Sequence, residues 1–81
     1  MEIKIVTPKV ERYIVLHGLQ SKWKKCEALF IENPKHPSLH TELLEPKYEM
    51  IFSFRLDRKY RALFMIKNSV AFVFRVTNHY Q

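Results

Sequence analysis

The sequence predicts an α+β fold: two helices near the N-terminus packed on one face of a small, mainly antiparallel sheet, in the order β-α-α-β-β-β. Three observations carry that prediction. Apolar residues recur at spacings of three and four in two stretches between Pro8 and Asn33. From Met50 to about Thr77 the pattern switches to period 2. Between them lies a segment punctuated by Pro34 and Pro37. Eighty-one residues make one domain, spanning 1–81. A chain this short buries only about 60% of its unfolded surface, so its core is small. The 47% hydrophobic and 14% aromatic content still argues against disorder.

Taken in order, Glu2 to Val6 alternates and is β-branched, as a first strand should be. Thr7-Pro8 offers an N-cap followed by proline at the first helical position. A helix should run from Pro8 to about His17, with Val10, Tyr13, Ile14 and His17 on one stripe. Gly18, the single glycine, is placed to end it. Ser21 can cap a second helix, whose apolar stripe is Trp23, Cys26, Leu29 and Phe30. Asn33-Pro34 stops that helix. A loop follows from His36 to His40, then a short extended piece over Thr41–Leu44 and a turn at Glu45-Pro46-Lys47. Three antiparallel strands are expected over about 49–56, 60–67 and 70–77.

Register follows from requiring one shared core. Paired residues point to the same face of a sheet. Met50, Phe52, Phe54 and Leu56 can join Tyr60, Ala62, Phe64 and Ile66 only if Leu56 pairs with Tyr60. The turn is then Asp57-Arg58-Lys59, because a one-residue slip would bury a charge. The same reasoning pairs Ile66 with Val70 and sends Val70, Phe72, Phe74 and Val76 inward. On the opposite face Arg55 then meets Arg61, and Arg61 meets Arg75. Three arginines would lie side by side, about 5 Å apart, where like charges destabilise a sheet. Such a row suits phosphate, which the planar guanidinium grips in bidentate fashion. The alternative is that the side chains splay toward Asp57, Glu42 or water. Ile51, Leu63, Met65, Ala71 and Val73 make the rest of this face apolar, as though a partner covers it.

The net charge of +6 and pI near 9.7 point to a polyanionic partner. Lys22, Lys24 and Lys25 crowd the start of the second helix, an unfavourable end for cations unless they serve a phosphate surface or are simply solvated. One cysteine, Cys26, excludes an internal disulfide and a Cys-cluster zinc site, and suits a reducing cytoplasm. On its helical stripe it reads as a buried structural thiol. No run approaches the roughly 18 apolar residues a membrane span needs, and the first residues do not read as a signal peptide. A single glycine rules out GxSxG, P-loop and GxGxxG chemistry. His36 and His40 are four apart, but in a proline-bounded loop without a framing carboxylate they do not read as metal ligands. His17 reads as a packed helical histidine. His79, beside Tyr80 at the end of the strand carrying Arg75, could serve as a general acid, with Tyr80 offering a hydroxyl and a stacking face.

Assembled, these features resemble the RelE/ParE toxin superfamily of type II toxin–antitoxin systems, and within it the YoeB-like ribosome-dependent mRNA interferases. The resemblance covers nearly the whole chain in size, charge and element order. Its local motifs are Leu44-Glu-Pro-Lys, Ser53-x-Arg55, Tyr60-Arg61-Ala-Leu-Phe64 and His79-Tyr80. It implies a RelE-like fold and an endoribonuclease that inhibits translation by cutting mRNA in the 70S ribosome, in the cytoplasm. Cleavage would proceed without metal or other cofactor, by attack of the 2′-OH on the adjacent phosphate. By position Arg61 matches the phosphate-stabilising arginine, His79 and Tyr80 the terminal catalytic pair, and Glu42 the general base. Arg55 matches a basic position beside the active face. Arg75 has no counterpart in the resemblance. With Lys22, Lys24, Lys25, Arg58 and Lys59 it completes the expected RNA-binding set. An acidic antitoxin is the implied partner, as a heteromer with this chain or with a homodimer of it. Two alternatives share the fold: a non-enzymatic gyrase inhibitor of the ParE type, and a degenerate RNA-binding module.

Overall fold

A computed structural model describes residues 1–78. Strand β1 (Glu2–Ile5) leads into helix α1 (Pro8–Leu16) and helix α2 (Gln20–Glu32). A 3₁₀ turn (Pro37–Leu39), the two-residue strand β2 (Glu42–Leu43) and a second 3₁₀ turn (Lys47–Glu49) connect to β3 (Phe52–Arg55), β4 (Arg61–Lys67) and β5 (Val70–Thr77). The five strands form one sheet in the order β1-β5-β4-β3-β2. Only the β1–β5 pair is parallel.

Helix α1 begins where expected, with Pro8 at its first position and extended Thr7 before it, although the Thr7 side chain makes no capping hydrogen bond. Gly18, at φ +64°, turns the chain out of the helix in a conformation only glycine adopts freely. Helix α2 starts earlier than Ser21: its cap residue is Leu19, which is buried and donates its amide to the Ile14 carbonyl. Burial of Leu19 between the helices decides that boundary, not a hydroxyl cap. Both helices cover one face of the sheet through Val10, Ile14, Trp23, Cys26 and Phe30. There Phe54 packs its ring against Trp23, Phe30 and Phe64, with centroids 6.0, 5.4 and 5.8 Å away. Cys26 is the buried thiol its helical stripe predicts. Its Sγ donates to the Arg55 carbonyl at 3.4 Å, and burial pushes the thiol up, with Lys25 drawing it down and Asp57 adding to the rise.

The first hairpin has the expected register. Arg55 faces Arg61, Phe54 faces Ala62, and the Leu56 amide bonds the Tyr60 carbonyl across Asp57-Arg58-Lys59. Met50 does not join the core. It sits in a left-handed conformation after the second 3₁₀ turn, 53% exposed, so β3 starts only at Phe52.

The second hairpin departs from expectation. Lys67, not Ile66, pairs with Val70, leaving a two-residue turn at Asn68-Ser69. Both residues have positive φ, 51° and 63°, as type I′ hairpin turns require. Ala71 and Val73 therefore face the core beside Ile3 and Ile5 of β1, while Phe72 lies on the opposite face between Lys4 and Met65. Val76 must also turn inward, opposite Ala62. Strict alternation cannot bury both Val73 and Val76. A bulge between the Phe64–Val73 and Leu63–Arg75 pairs takes up the extra residue, Phe74. As a result Arg61 pairs with Thr77, and Arg75 pairs with Leu63. The row of three arginines becomes a pair, Arg55 and Arg61, with Arg75 displaced by one step. Serine is a poor left-handed residue, and the conformation costs non-glycine residues roughly 1–2 kcal/mol. Ser69→Gly should therefore raise the urea unfolding free energy by about 1 kcal/mol without changing the m-value.

Candidate active site

The sheet face opposite the helices carries the site. Arg61 is only 7% exposed, an unusual burial for arginine, and it is held by specific partners. Its Nε donates to the Ser53 Oγ at 2.9 Å, and its Nη2 donates to the His40 carbonyl at 2.6 Å. Ser53 comes from β3, directly opposite Leu63, so the same pairing that sets the core also puts its hydroxyl beside Arg61. His40 comes from the loop before β2. Its φ of 46° is left-handed, and backbone strain of this kind persists only where the surroundings enforce it. The Glu42 carboxylate on β2 lies 3.8 Å from Nη2, with its side chain 52% exposed. The guanidinium is thus held by partners from two elements, with a half-exposed carboxylate 3.8 Å from it.

Around it opens a cleft of about 250 Å³ lined by Glu42, Arg55, Asp57, Arg58, Lys59, Arg61 and Asn78. Four cations there face two carboxylates. One of the two, Asp57, is engaged elsewhere: its Oδ2 accepts from Lys22 Nζ at 2.7 Å, and its Oδ1 accepts the amides of Lys59 and Tyr60. Those bonds shape the turn that presents Arg58 and Lys59, whose Nζ sits 5.6 Å from the Tyr60 ring centre. Partial burial pushes the Asp57 carboxyl up. The Lys22 hydrogen bond, the two amides and the Lys22 charge outweigh that and hold it below its ordinary value. A carboxyl depressed in the folded state contributes stability above its unfolded pKa of about 3.9 and loses it as pH falls through the lower folded value. Urea midpoints should therefore drop on the acid side of about pH 3.9 more steeply for this chain than for Asp57→Asn.

Of the residues singled out from the sequence, Glu42, Arg55, Arg58, Lys59 and Arg61 converge on this cleft. Lys22 reaches its edge through Asp57, whereas Lys24 and Lys25 are exposed on α2 outside the cleft. Arg75 lies apart, in a pocket against α1. His79 and Tyr80 fall outside the described residues, directly after Asn78. His17 is exposed rather than buried, yet its ring stacks on Tyr13 at 3.9 Å. His36 accepts the Ser38 amide and caps its turn. Among the described residues no group of three or more His, Cys, Asp or Glu could hold a metal ion, and no helix is long and apolar enough to cross a membrane. Sequence reading missed Ser53 and His40 as partners of Arg61. The Ser53-x-Arg55 spacing and the pairing of Arg55 with Arg61 on the same face contained the first; nothing local signalled a backbone carbonyl arriving from a distant loop.

No family model matches the sequence, and no curated protein matches it. Solved structures do. YafQ from E. coli strain BL21(DE3) superposes with a TM-score of 0.72 at 12% identity, over 96% of this chain and 92% of YafQ. YoeB in a heterotetrameric YoeB–YefM toxin–antitoxin complex from Staphylococcus aureus gives 0.71 at 14% identity, over 99% and 98%. A copper-bound point mutant of a toxin from Helicobacter pylori gives 0.69 at 13% identity, over 98% and 94%. The chain thus has the RelE-like α+β fold that its order of elements predicts.

Proposed function

We propose that this chain is the toxin of a type II toxin–antitoxin system and acts as a ribosome-dependent endoribonuclease on mRNA. The observation that carries the reading is the buried, doubly anchored Arg61, held beside Arg55 and the Glu42 carboxylate in a cationic cleft. Like charges placed in direct register are costly, and a bound phosphate offsets the cost. In the reaction Glu42 takes the proton of a ribose 2′-OH, and the freed oxygen attacks the adjacent phosphorus. Arg61 and Arg55 stabilise the extra charge on the pentacoordinate phosphorane. The P–O5′ bond then breaks, His79 protonates the leaving 5′-oxygen, and a 2′,3′-cyclic phosphate remains. Tyr80 offers a ring for a base to stack on. The required 2′-OH confines cleavage to RNA. The acidic partner implied by the net charge of +6 is an antitoxin that covers the cationic cleft and its apolar margin in the cytoplasm.

Expression of the chain in growing bacteria with transcriptome-wide mapping of message ends tests this. Discrete cuts within translated messages, abolished by Arg61→Ala or His79→Ala, support it. Growth arrest with intact messages and an induced DNA-damage response would replace it with gyrase inhibition.

A further inference from the structure

The bulge in β5 gives Arg75 a setting of its own. Pairing with β1 ends at Val73, so the following stretch of β5 is flanked by α1 rather than by a strand. Between them opens a pocket of about 520 Å³, roughly twice the volume of the cleft. Tyr13, Phe74, Val10 and Val76 make its walls apolar and aromatic, and Lys9 and Arg75 stand in its lining. Lys9 and Arg75 have no carboxylate partner among the described residues. Pocket and cleft meet at the end of β5: Thr77 lines the pocket and pairs with Arg61, and Asn78 lines the cleft. Burial, with Tyr60 adding to it, holds the Tyr13 hydroxyl above its ordinary pKa, and the Arg75 charge and the Asn78 backbone draw it only partly back.

We infer that this pocket is a nucleotide subsite for the RNA strand running out of the cleft, with a base stacked on Tyr13 and Phe74 and its phosphate held by Lys9 and Arg75. This rests on the RNA-cleaving reading and extends it by a second contact point. The pattern of ring plus cation is how single-stranded nucleic acid is gripped without sequence readout. Among the described residues the pocket's lining includes no carboxylate to repel a phosphate. Two cations in an otherwise apolar and aromatic lining fit an anion carrying a flat ring better than a purely apolar peptide side chain. The inference gives Arg75 a partner that its displaced register denies it in the arginine pair.

The test uses the full chain and a 2′-O-methylated single-stranded RNA hexanucleotide, which binds but cannot be cut. Lys9→Ala/Arg75→Ala should bind it at least about fivefold more weakly, with a log–log salt slope shallower by about 0.7, as expected for one lost phosphate contact on a single strand. A 4-thiouridine within the probe should photocross-link to the peptides carrying Tyr13 or Phe74. Unchanged affinity and slope in the double variant, with Arg58→Ala still weakening binding, would overturn the subsite and leave the cleft reading intact. A double variant that loses antitoxin binding while holding RNA as tightly as before would also overturn it, making the pocket a protein-docking surface. Failure of the unaltered chain to cut translated messages would instead sink the RNA-cleaving reading itself, whereas cutting without any binding of the probe would overturn the subsite.

Discussion

Arg61→Ala should abolish message cleavage and growth arrest, lowering the cleavage rate by about 10²–10³-fold, the usual cost of removing one preorganised charge-stabilising donor. It should also lower stability, because Arg61 is a structural member of the sheet face as well as the phosphate-stabilising residue we propose. Its removal leaves the fully buried Ser53 Oγ without the Nε donor it now accepts from, and leaves the His40 carbonyl without its Nη2 donor. An orphaned buried polar group costs about 1–3 kcal/mol. Arg61→Lys restores the charge but not the function: one ammonium cannot reproduce donors from both Nε and Nη2 aimed at partners from two different elements. Urea unfolding and message-end mapping on the same variants separate the two effects. If Arg61→Lys cleaves at the rate of the unaltered chain, the fixed fork is irrelevant and only charge matters.

Phe54→Ala should leave no folded protein at ordinary growth temperature. Phe54 is completely buried at the point where α2 meets the sheet and touches three other rings. Large-to-small substitution of a core phenylalanine costs about 3–5 kcal/mol. A domain of 81 residues has little more than about 5 kcal/mol to lose, since small chains lie at the low end of the usual range. Phe54→Leu keeps most of the volume and should be folded, with a lower urea midpoint. The comparison is direct by circular dichroism. A well-folded Phe54→Ala variant would show that the helices and sheet are held by something other than this aromatic cluster. The same substitution should remove toxicity without touching the cleft, so loss of function alone never distinguishes the two kinds of residue.

Much of the fold was legible in the chain. The first hairpin could be read to the residue because a one-residue slip would bury Arg61 among the phenylalanines. The second could not be read that way. Val70, Phe72, Phe74 and Val76 offer one apolar face, but Ala71 and Val73 between them are apolar too, and of the first four only Val76 faces the core. What overrides the pattern is β1: its parallel pairing sets Ile3 beside Ala71 and Ile5 beside Val73. Local periodicity cannot report which strand will arrive from the far end of the chain. The same reason hides half of the site. Glu42 and Arg61 could be named from the sequence, as could a short extended piece over Thr41–Leu44, but their approach to 3.8 Å depends on the pairing of that piece with β3, which periodicity does not carry.

By itself, then, the sequence determined the class of fold, the helices, the Asp57–Lys59 turn, the opposition of Arg55 and Arg61, and the cationic character of the molecule. These follow from local spacing and from the requirement that apolar residues share one face. Only the tertiary structure decided that Arg75 leaves the arginine row, that the His40 carbonyl anchors Arg61, and that a second pocket opens beside α1. Each of those is a contact between segments far apart in the chain. A bulge, a borrowed carbonyl and a gap at the end of a short edge strand are set by how whole elements fit together, and no stretch of residues encodes them alone.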